Sequence, residues 1–318
     1  MKKALIIGSS GQDGRLLSDL LISRGYAVLG IDRGAASFSG PAPDVFQPVD
    51  ILQPDELETT IARFKPDELY FFAAYHHSSE DQTGSDAELF RASYATHVMA
   101  YINVLEAIRK SSPRTRVFYA CSSHIFKGTP GDVQDERTPI NPVCVYGITK
   151  TAGYFTGRFY RNTHSLFIAN GILYNHESSL RQDKFVSMKI IRGAVNIRNG
   201  RQDKLVLGDL SAEIDWGYAP DYVDAFQRIL NADHPDDFIV ATGVKHQVRD
   251  FVSIAFSALG LDWTKYVEER RSLITKKNFT LVGNPSKLTA VTGWKPSVDF
   301  AGMIKLLLQA EGAVLHEP

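Results

Sequence analysis

The stretch that decides the fold is Ala4-Leu5-Ile6-Ile7-Gly8-Ser9-Ser10-Gly11-Gln12-Asp13-Gly14, near the start of the chain. Four apolar residues typical of a buried strand run into a turn with glycines at positions 8, 11 and 14. An amphipathic stretch that predicts a helix follows at once. Glycines at such a turn let the backbone approach a pyrophosphate, whose charge lies at the helix N-terminus. The stretch therefore predicts a dinucleotide site that uses Gly8, Gly11, Gln12, Asp13 and Gly14.

Outward from this turn, short apolar runs alternate with longer amphipathic stretches, a rhythm typical of βαβ units. It predicts strands over residues 4–7, 27–31, 45–48, 69–72, 117–120 and 166–170, and helices over 15–24, 54–64, 87–109 and 145–162. Beyond about residue 174 the elements become shorter and mixed. We therefore predict an α/β protein: a Rossmann-type doubly wound parallel sheet (1–170) and a smaller mixed α/β C-terminal substrate lobe (171–318). A helix over 221–230 and a strand over 238–241 are expected to return to the first lobe, and a closing helix covers 300–310.

Composition and charge exclude several classes of protein. The 318 residues are enough for two lobes, and 35 Lys+Arg against 36 Asp+Glu leave a formal charge of -1. No global basic field exists to hold a nucleic acid or an anionic membrane, and no apolar run reaches the length of a membrane span. The two cysteines, Cys121 and Cys144, exclude a disulfide-rich secreted scaffold and lie in no metal-ligand cluster. We expect a cytoplasmic protein without nucleic-acid, membrane or metal partners.

The second strand ends in Asp32-Arg33, and these two residues favour different dinucleotides. An Asp32 carboxylate would bind the ribose hydroxyls of NAD, whereas Arg33 could neutralise the 2′-phosphate of NADP. Both cofactors stay open, with NAD slightly favoured by Asp32. Asp50 is a candidate for the adenine amino group or, equally, a residue near a helix N-cap. The remaining predicted cofactor contacts are Ile51, Ala73 and Ala74.

Tyr146 and Lys150 place a phenol and an ammonium four residues apart, on one face of a predicted helix. We expect Lys150 to lower the pKa of the phenol, which would make Tyr146 an acid or base near neutral pH. Ser122, at the end of the preceding strand, could share a substrate hydroxyl with Tyr146. Together these residues suit hydride exchange between a secondary alcohol and a nicotinamide, and Tyr146 and Lys150 are also expected to contact the cofactor.

Longer motifs give the chain a resemblance to the extended short-chain dehydrogenase/reductase superfamily and, within it, to the GDP-mannose 4,6-dehydratase family. These motifs are the Gln12-Asp13 insert, Pro66-Asp67-Glu68, Asn170-Gly171-Ile172-Leu173-Tyr174-Asn175-His176-Glu177-Ser178, Asp215-Trp216-Gly217-Tyr218-Ala219, Gly283-Asn284-Pro285-Ser286-Lys287 and Gly293-Trp294-Lys295-Pro296. They extend almost from end to end of the chain. The resemblance implies a nicotinamide cofactor, with NADP favoured, and a nucleotide-sugar substrate that is GDP-linked. It also implies a homodimer or homotetramer, which we place at the long helices 87–109 and 145–162.

The same resemblance implies a reaction and its residues. The cofactor oxidises C4 of a hexose, a base removes the C5 proton, water leaves C6, and the hydride returns there. Ser122, His124, Tyr146 and Lys150 occupy the positions of the family's catalytic serine or threonine, base, tyrosine and lysine.

His124 departs from the family, which has a glutamate as the eliminating base. A neutral imidazole can also accept a proton, so a dehydratase that uses His124 is the leading hypothesis. One alternative is a nucleotide-sugar reductase, oxidoreductase or epimerase that works without elimination. Another is a family member that acts on a different sugar. A third is a nucleotide-sugar-binding protein whose catalytic site has degraded. His124 could also be a bystander beside the substrate.

The substrate residues depart from the family as well. Glu213-Ile214 replaces a stretch with a basic residue, which removes positive charge near the expected diphosphate. The candidate substrate-binding residues are His76, Ser123, Asn175, Arg181 and Lys189, of which Arg181 and Lys189 would supply the missing cations.

Overall fold

Buried apolar runs of the chain form the strands of a computed structural model that describes residues 1–34, 40–75, 85–131, 133–273 and 279–316. The strands are β1 (Lys3–Ile7), β2 (Ala27–Asp32), β3 (Val45–Pro48), β4 (Glu68–Phe71), β5 (Arg116–Ser122), β6 (Val133–Gln134), β7 (Ile168–Leu173), β8 (Asn175–Glu177), β9 (Leu205–Leu207), β10 (Glu213–Tyr218), β11 (Asp237–Val240), β12 (Lys245–Gln247), β13 (Val267–Glu269) and β14 (Val282–Gly283). The α-helices are α1 (Gln12–Ser23), α2 (Pro54–Phe64), α3 (Asp86–Tyr94), α4 (Ala100–Ser111), α5 (Val145–His164), α6 (Val186–Arg198), α7 (Ala219–Leu230), α8 (Val248–Ser257), α9 (Ser286–Thr292) and α10 (Phe300–Ala310).

Seven strands form one parallel sheet in the order β11-β7-β5-β4-β1-β2-β3. Strands β1, β4 and β7 are buried almost throughout because helices cover both faces of the sheet. The strand order reverses between β1 and β4, and ligands of open α/β sheets bind in the crevice at such a switch point. The predicted Rossmann-type doubly wound sheet is confirmed.

One face of the sheet is covered by α2, α4 and α5, which contribute Leu57, Tyr101 and Tyr154 to a single apolar cluster. The other face is covered by α1 and α7, through side chains such as Leu17 and Phe226. The helix predicted over 87–109 is broken in the structure, because a π-helical turn at Ala95–Met99 joins α3 to α4. Such turns are rare and often lie near functional sites.

A third apolar cluster, centred on α6, α8 and α10, forms the core of the C-terminal part of the chain. Asp215 of β10 joins this part to the sheet. Its buried carboxylate accepts hydrogen bonds from the backbone N–H groups of Thr242, Gly243 and Gly283, at 3.0, 3.1 and 3.2 Å. The charge is thereby satisfied inside the protein, where an unpaired carboxylate would be costly.

The predicted helices 54–64 and 300–310 and the strand 45–48 have the observed bounds. The strand predicted over 166–170 begins two residues later, as β7. The segments expected to return to the first lobe do lie there, since β11 pairs with β7 and α7 packs on the sheet. The division that we predict at residue 170 falls within β7. In the described part of the chain no helix has the length and apolarity needed to cross a membrane.

Candidate active site

In the glycine turn between β1 and α1, neighbouring backbone segments lie too close together for side chains at positions 8 and 14. Gly8 has φ +86°, and a Cβ added to it would lie 2.8 Å from the backbone nitrogen of Ala73. A Cβ on Gly14 would lie 2.5 Å from the carbonyl oxygen of Gly8. Gly11 is the N-cap of α1, and no side chain caps the helix there. The first-turn N–H groups of α1 are therefore directed at an anion site without a side chain in between.

Two clefts meet at this turn. One, of about 430 Å³, contains Ser122, His124, Tyr146 and Lys150; the other, of about 190 Å³, contains Asp32. The lining residues Gly11, Phe72 and Ala74 are common to both clefts. The two clefts would hold a dinucleotide with its adenosine in the smaller cleft, its pyrophosphate at the turn, and its reactive ring in the larger cleft. The smaller cleft also contains the predicted cofactor residues Gly8, Arg33, Ile51 and Ala73, and the larger one Gln12 and Asp13.

Asp32 is held in place at the mouth of the smaller cleft. Its carboxylate accepts hydrogen bonds from the N–H groups of Ser10 at 3.3 Å and Arg33 at 2.9 Å. Asp50 is not among the described residues that line this cleft. Its side chain accepts a hydrogen bond from the N–H of Leu52 at 3.0 Å, in the turn before α2. That geometry favours the helix-start interpretation of Asp50 over the adenine contact.

The four predicted catalytic residues come together at the carboxyl end of β5. Ser122 ends the strand, a short 3₁₀ helix (Ser123–Phe126) carries His124, and α5 begins one residue before Tyr146. Ser122 Oγ accepts a hydrogen bond from the N–H of His124 at 3.2 Å, which fixes the two residues relative to each other. All four line the same cleft, so the structure assembles the predicted constellation although its parts are separated in sequence.

Lys150 is buried, and its Nζ donates a hydrogen bond to the carbonyl oxygen of Ala120 at 2.8 Å. Nζ also lies 5.7 Å from the ring centroid of Tyr146. Burial lowers the pKa of Lys150 to about 8. Its ammonium is thus mostly charged at neutral pH and placed beside the phenol.

The expected lowering of the phenol pKa is wrong for this structure. Burial, and then the neighbouring Cys121 thiol, raise the pKa of Tyr146 above its usual value of 10.0. The reason is that a buried phenolate loses the water that would stabilise it, and this loss outweighs nearby positive charge. Tyr146 therefore needs further positive charge in the cleft before it can act as a base.

His124 lies edge-on to Tyr146, with ring centroids 5.6 Å apart and planes at 84°. Its Nδ1 is 3.9 Å from Cys144 Sγ, and Cys144 caps α5 by accepting a hydrogen bond from the N–H of Gly147. The imidazole therefore contacts the start of the helix that carries Tyr146. This arrangement places a potential base beside the phenol, within the same cleft.

His97 was not predicted, although it contacts the same constellation. It lies in the π-helical turn, is fully buried, and has its ring edge-on to Tyr146 at 5.3 Å between centroids. Its Nε2 accepts a hydrogen bond from the N–H of Tyr75 at 2.9 Å, so the proton must be on Nδ1, 2.7 Å from Thr149 Oγ1. A histidine inside an apolar helical pattern was the one signal in the sequence that could have found it.

A second contact that was not predicted joins two motifs singled out in the sequence. His176 of β8 has its Nε2 at 3.0 Å from the Asp13 carboxylate. Gln12 donates to the carbonyl oxygen of His176 at 3.2 Å and accepts from Ser178 Oγ at 2.8 Å. The glycine turn is therefore bonded directly to the segment that follows β7.

The predicted substrate residues separate into three groups. Ser123 and Asn175 line both the large cleft and an adjoining cleft of about 350 Å³, and Arg181 lines the large cleft. Lys189 lies on α6 and is not among the described residues that line either of these clefts. His76 lies outside the described residues. The roles of all five stay predictions.

The adjoining cleft contains Glu213, Ile214 and Asp209, together with Lys127. Glu213 pairs with Lys245 at 2.6 Å, and Asp209 lies 3.9 Å from Arg271. The loss of a basic residue noted at Glu213-Ile214 therefore falls in the wall of a cleft that reaches His124. In the described ranges no group of three or more His, Cys, Asp or Glu side chains is arranged to hold a metal ion.

The chain is similar to known proteins over almost its whole length. Residues 5–307 match the profile of the GDP-mannose 4,6 dehydratase family. GDP-mannose 4,6 dehydratase 2 of Arabidopsis thaliana is 37% identical over an alignment that covers 98% of this chain and 87% of the plant protein.

Two solved structures share the fold at low sequence identity. One is dTDP-glucose 4,6-dehydratase of Bacillus anthracis in complex with NAD, with a TM-score of 0.83, 18% identity, and coverage of 98% of this chain and 97% of that one. The other is RMD of Pseudomonas aeruginosa complexed with NADPH, with a TM-score of 0.81, 18% identity, and 98% coverage of each chain. The family match over nearly the whole length shows that this chain belongs to the GDP-mannose 4,6-dehydratase family.

Proposed function

We propose that this protein is an NAD(P)-dependent nucleotide-sugar 4,6-dehydratase that acts on a GDP-linked hexose. The observation that carries the proposal is the assembly of Ser122, His124, Tyr146 and Lys150 in one cleft that begins at the glycine turn. Family membership supports the substrate class, because the relative compared above is a GDP-mannose dehydratase.

The cofactor part of the proposal follows from the two clefts. The N–H groups of the α1 N-terminus would hold the pyrophosphate, and Asp32 would accept hydrogen bonds from the ribose. Asp32 and Arg33 both line the smaller cleft. The Asp32 carboxylate would repel a 2′-phosphate that Arg33 could neutralise, so NAD stays slightly favoured and NADP stays the alternative. When bound, an oxidised nicotinamide supplies transient acceptance and return of a hydride, and a positive charge in the larger cleft.

Tyr146 and Lys150 would handle the proton of the C4 hydroxyl. Tyr146 Oη takes this proton as C4 is oxidised, with the Ser122 hydroxyl as the second hydrogen-bond partner of the sugar oxygen. Burial raises the pKa of Tyr146, so the reaction depends on the charges that offset burial. Arg181 lowers the pKa, and the Lys150 ammonium, 5.7 Å from the ring centroid, and the charge of a bound cofactor would add to this effect.

His124 would then remove the proton from C5, which the C4 ketone makes acidic, and water would leave from C6. An imidazole has an ordinary pKa of about 6.5 and can accept a proton at neutral pH. The same residue also supports the second candidate function. Because the family glutamate is replaced, redox chemistry without elimination, as in a reductase or epimerase, is the alternative that the site allows.

Incubation with GDP-mannose and a catalytic amount of NAD or NADP tests the proposal. A dehydratase forms a 4-keto-6-deoxy product in excess over the cofactor, because the cofactor is regenerated in each turnover. Without loss of water, either consumption of cofactor in proportion to product, as in a reductase, or formation of a sugar isomer of unchanged mass, as in an epimerase, would establish the second candidate function instead. Binding of cofactor and sugar nucleotide without any turnover would point to a degraded binding protein.

Variants at His124 test its role separately. His124→Gln keeps a hydrogen-bonding side chain but no base, and it should abolish elimination while C4 oxidation in a single turnover persists. His124→Glu restores the family carboxylate and should support elimination. Elimination at the wild-type rate in His124→Gln would show that His124 is a bystander.

A further inference from the structure

Asp13 places a carboxylate where the cofactor needs positive charge. It is the second residue of α1, after the N-cap Gly11, and it lines the large cleft together with Ser10 and Gly11. The N-terminus of a helix attracts anions such as a pyrophosphate. A second negative charge within the first turn of α1 would oppose that attraction, and in a buried site the repulsion is poorly screened. The glycine turn therefore requires a group that cancels the charge of Asp13.

His176 is that group, because its contacts require both ring nitrogens to donate hydrogen bonds when Asp13 is ionised. Its Nδ1 lies 2.7 Å from the carbonyl oxygen of Tyr174, and its Nε2 lies 3.0 and 3.1 Å from the two carboxylate oxygens of Asp13. A carbonyl and an ionised carboxylate can only accept hydrogen bonds, so both ring nitrogens must carry a proton. The ring is buried and stacks on Tyr222, with centroids 4.6 Å apart.

The other groups around Asp13 do not replace this charge. Gln12 donates a neutral hydrogen bond to Asp13 at 3.2 Å. Arg181 contributes positive charge at longer range, but its guanidinium is already engaged, since Nε lies 3.3 Å from the Glu177 carboxylate and the group packs on the Phe185 ring at 3.6 Å. Among the residues that the structure describes, His176 is the cationic side chain hydrogen-bonded to Asp13.

We propose that His176, which belongs to the substrate-side strand β8, sets the affinity of the glycine turn for its dinucleotide by cancelling the charge of Asp13. His176 is thus a positioning and charge-balancing residue, which affects cofactor binding through its contact with Asp13. The proposal rests on the cofactor part of the proposed function and is independent of elimination, because it concerns binding alone.

The test is the dissociation constant of NADH and NADPH, measured by fluorescence titration of the purified full-length protein. His176→Gln leaves an uncompensated carboxylate beside the pyrophosphate and should weaken binding by about tenfold or more. Asp13→Asn removes the carboxylate and should bind at least as tightly as the wild type. The double variant Asp13→Asn/His176→Gln should recover most of the affinity that His176→Gln loses.

Ser178→Ala is the matched control, because it removes a hydrogen bond between the same two segments without removing a charge. It should change the dissociation constant by less than about threefold. Equal affinities of His176→Gln and the wild type would overturn the proposal, and so would a double variant that binds no better than His176→Gln. If His176→Gln fails to fold, weaker binding by Asp13→Asn alone contradicts the proposal. Tight binding of NADH or NADPH by a protein that dehydrates no sugar would leave this inference standing and reject the proposed function.

Discussion

His176 Nε2 lies 3.0 Å from the carboxylate of Asp13, which joins residues 163 positions apart in the chain. Burial opposes the charge on His176, but Asp13 outweighs it and raises the pKa of His176 above its ordinary 6.5. Burial likewise opposes the charge on Asp13, and His176 outweighs it, so the pKa of Asp13 falls below 3.8. Both groups are therefore charged between pH 3.8 and 6.5, and the pair connects the glycine turn to strand β8.

Asp13→Asn should lower the free energy of unfolding in a pH-dependent way. The raised pKa of His176 gives a contribution to stability that is complete below pH 6.5 and is lost as the pH rises through the raised value. The lowered pKa of Asp13 gives a second contribution to stability, which is complete above pH 3.8 and is lost as the pH falls through the lowered value. The difference between wild type and variant should therefore be largest between pH 3.8 and 6.5, with Arg181 as the other charged group that acts on the pair.

Urea denaturation at several pH values measures this difference. Asp19→Asn, at an exposed position of the same helix, is the control and should leave the dependence of stability on pH unchanged. A constant difference between wild type and Asp13→Asn from pH 4 to 9 would contradict the assignment of the pair.

The contribution of Lys150 to the free energy of unfolding should depend on pH in the opposite sense to that of His176, and Lys150→Met removes it. Burial lowers the pKa of Lys150 from 10.5 to about 8, so the unfolded chain binds more protons than the folded one between these values. The free energy of unfolding contributed by Lys150 therefore rises as the pH increases from about 8 to 10.5. The measurement is urea denaturation of the cofactor-free protein, with Lys150→Met as the reference that cannot titrate. Parallel curves for the two proteins over this range would show that Lys150 is not buried as described.

His97→Phe should lower kcat by about 10- to 100-fold with little change in KM, because small displacements of a catalytic group have effects of this size. Phenylalanine keeps the shape of the ring but loses the hydrogen bonds to the N–H of Tyr75 and to Thr149 Oγ1. The ring beside Tyr146, with centroids 5.3 Å apart, is then no longer held in place by hydrogen bonds. Steady-state kinetics provide the measurement, and His164→Phe, at the exposed end of α5, serves as the control. An unchanged kcat in His97→Phe would show that His97 only packs in the core and does not support Tyr146 in catalysis.

The exposed aromatic face of α5 predicts self-association. Phe155 and Phe159 are four residues apart on one face, with 49% and 55% of their surface exposed, and Met99 of the π-helical turn is 53% exposed. A double change to Phe155→Glu/Phe159→Glu should convert a homodimer or homotetramer to a smaller species. Light scattering after gel filtration measures the mass, with exposed Val314→Glu as the control. Assembly that is unaffected by the double change would place the interface elsewhere.

Local signals made the cofactor turn and the catalytic constellation predictable. Gly14 is required by contacts with the backbone of Gly8 and Ser9 in one strand-turn-helix unit, and Tyr146 and Lys150 share one helix, so short stretches of sequence carried the information. His97 and His176 act through partners that are distant in sequence, and no local pattern reports such contacts. The pKa of Tyr146 was predicted in the wrong direction because burial, which only the fold determines, outweighs the neighbouring lysine.

We propose that Ser122, His124, Tyr146 and Lys150 serve both oxidation at C4 and elimination of water within one active site. The most direct measurement uses GDP-mannose labelled with deuterium at C4, a catalytic amount of cofactor, and NMR analysis of the product. We expect a 4-keto-6-deoxy sugar with the deuterium at C6, since the hydride removed from C4 returns within the same turnover. Deuterium that accumulates on the nicotinamide, with the C6 hydroxyl retained in the sugar, would rule out this role of the four residues.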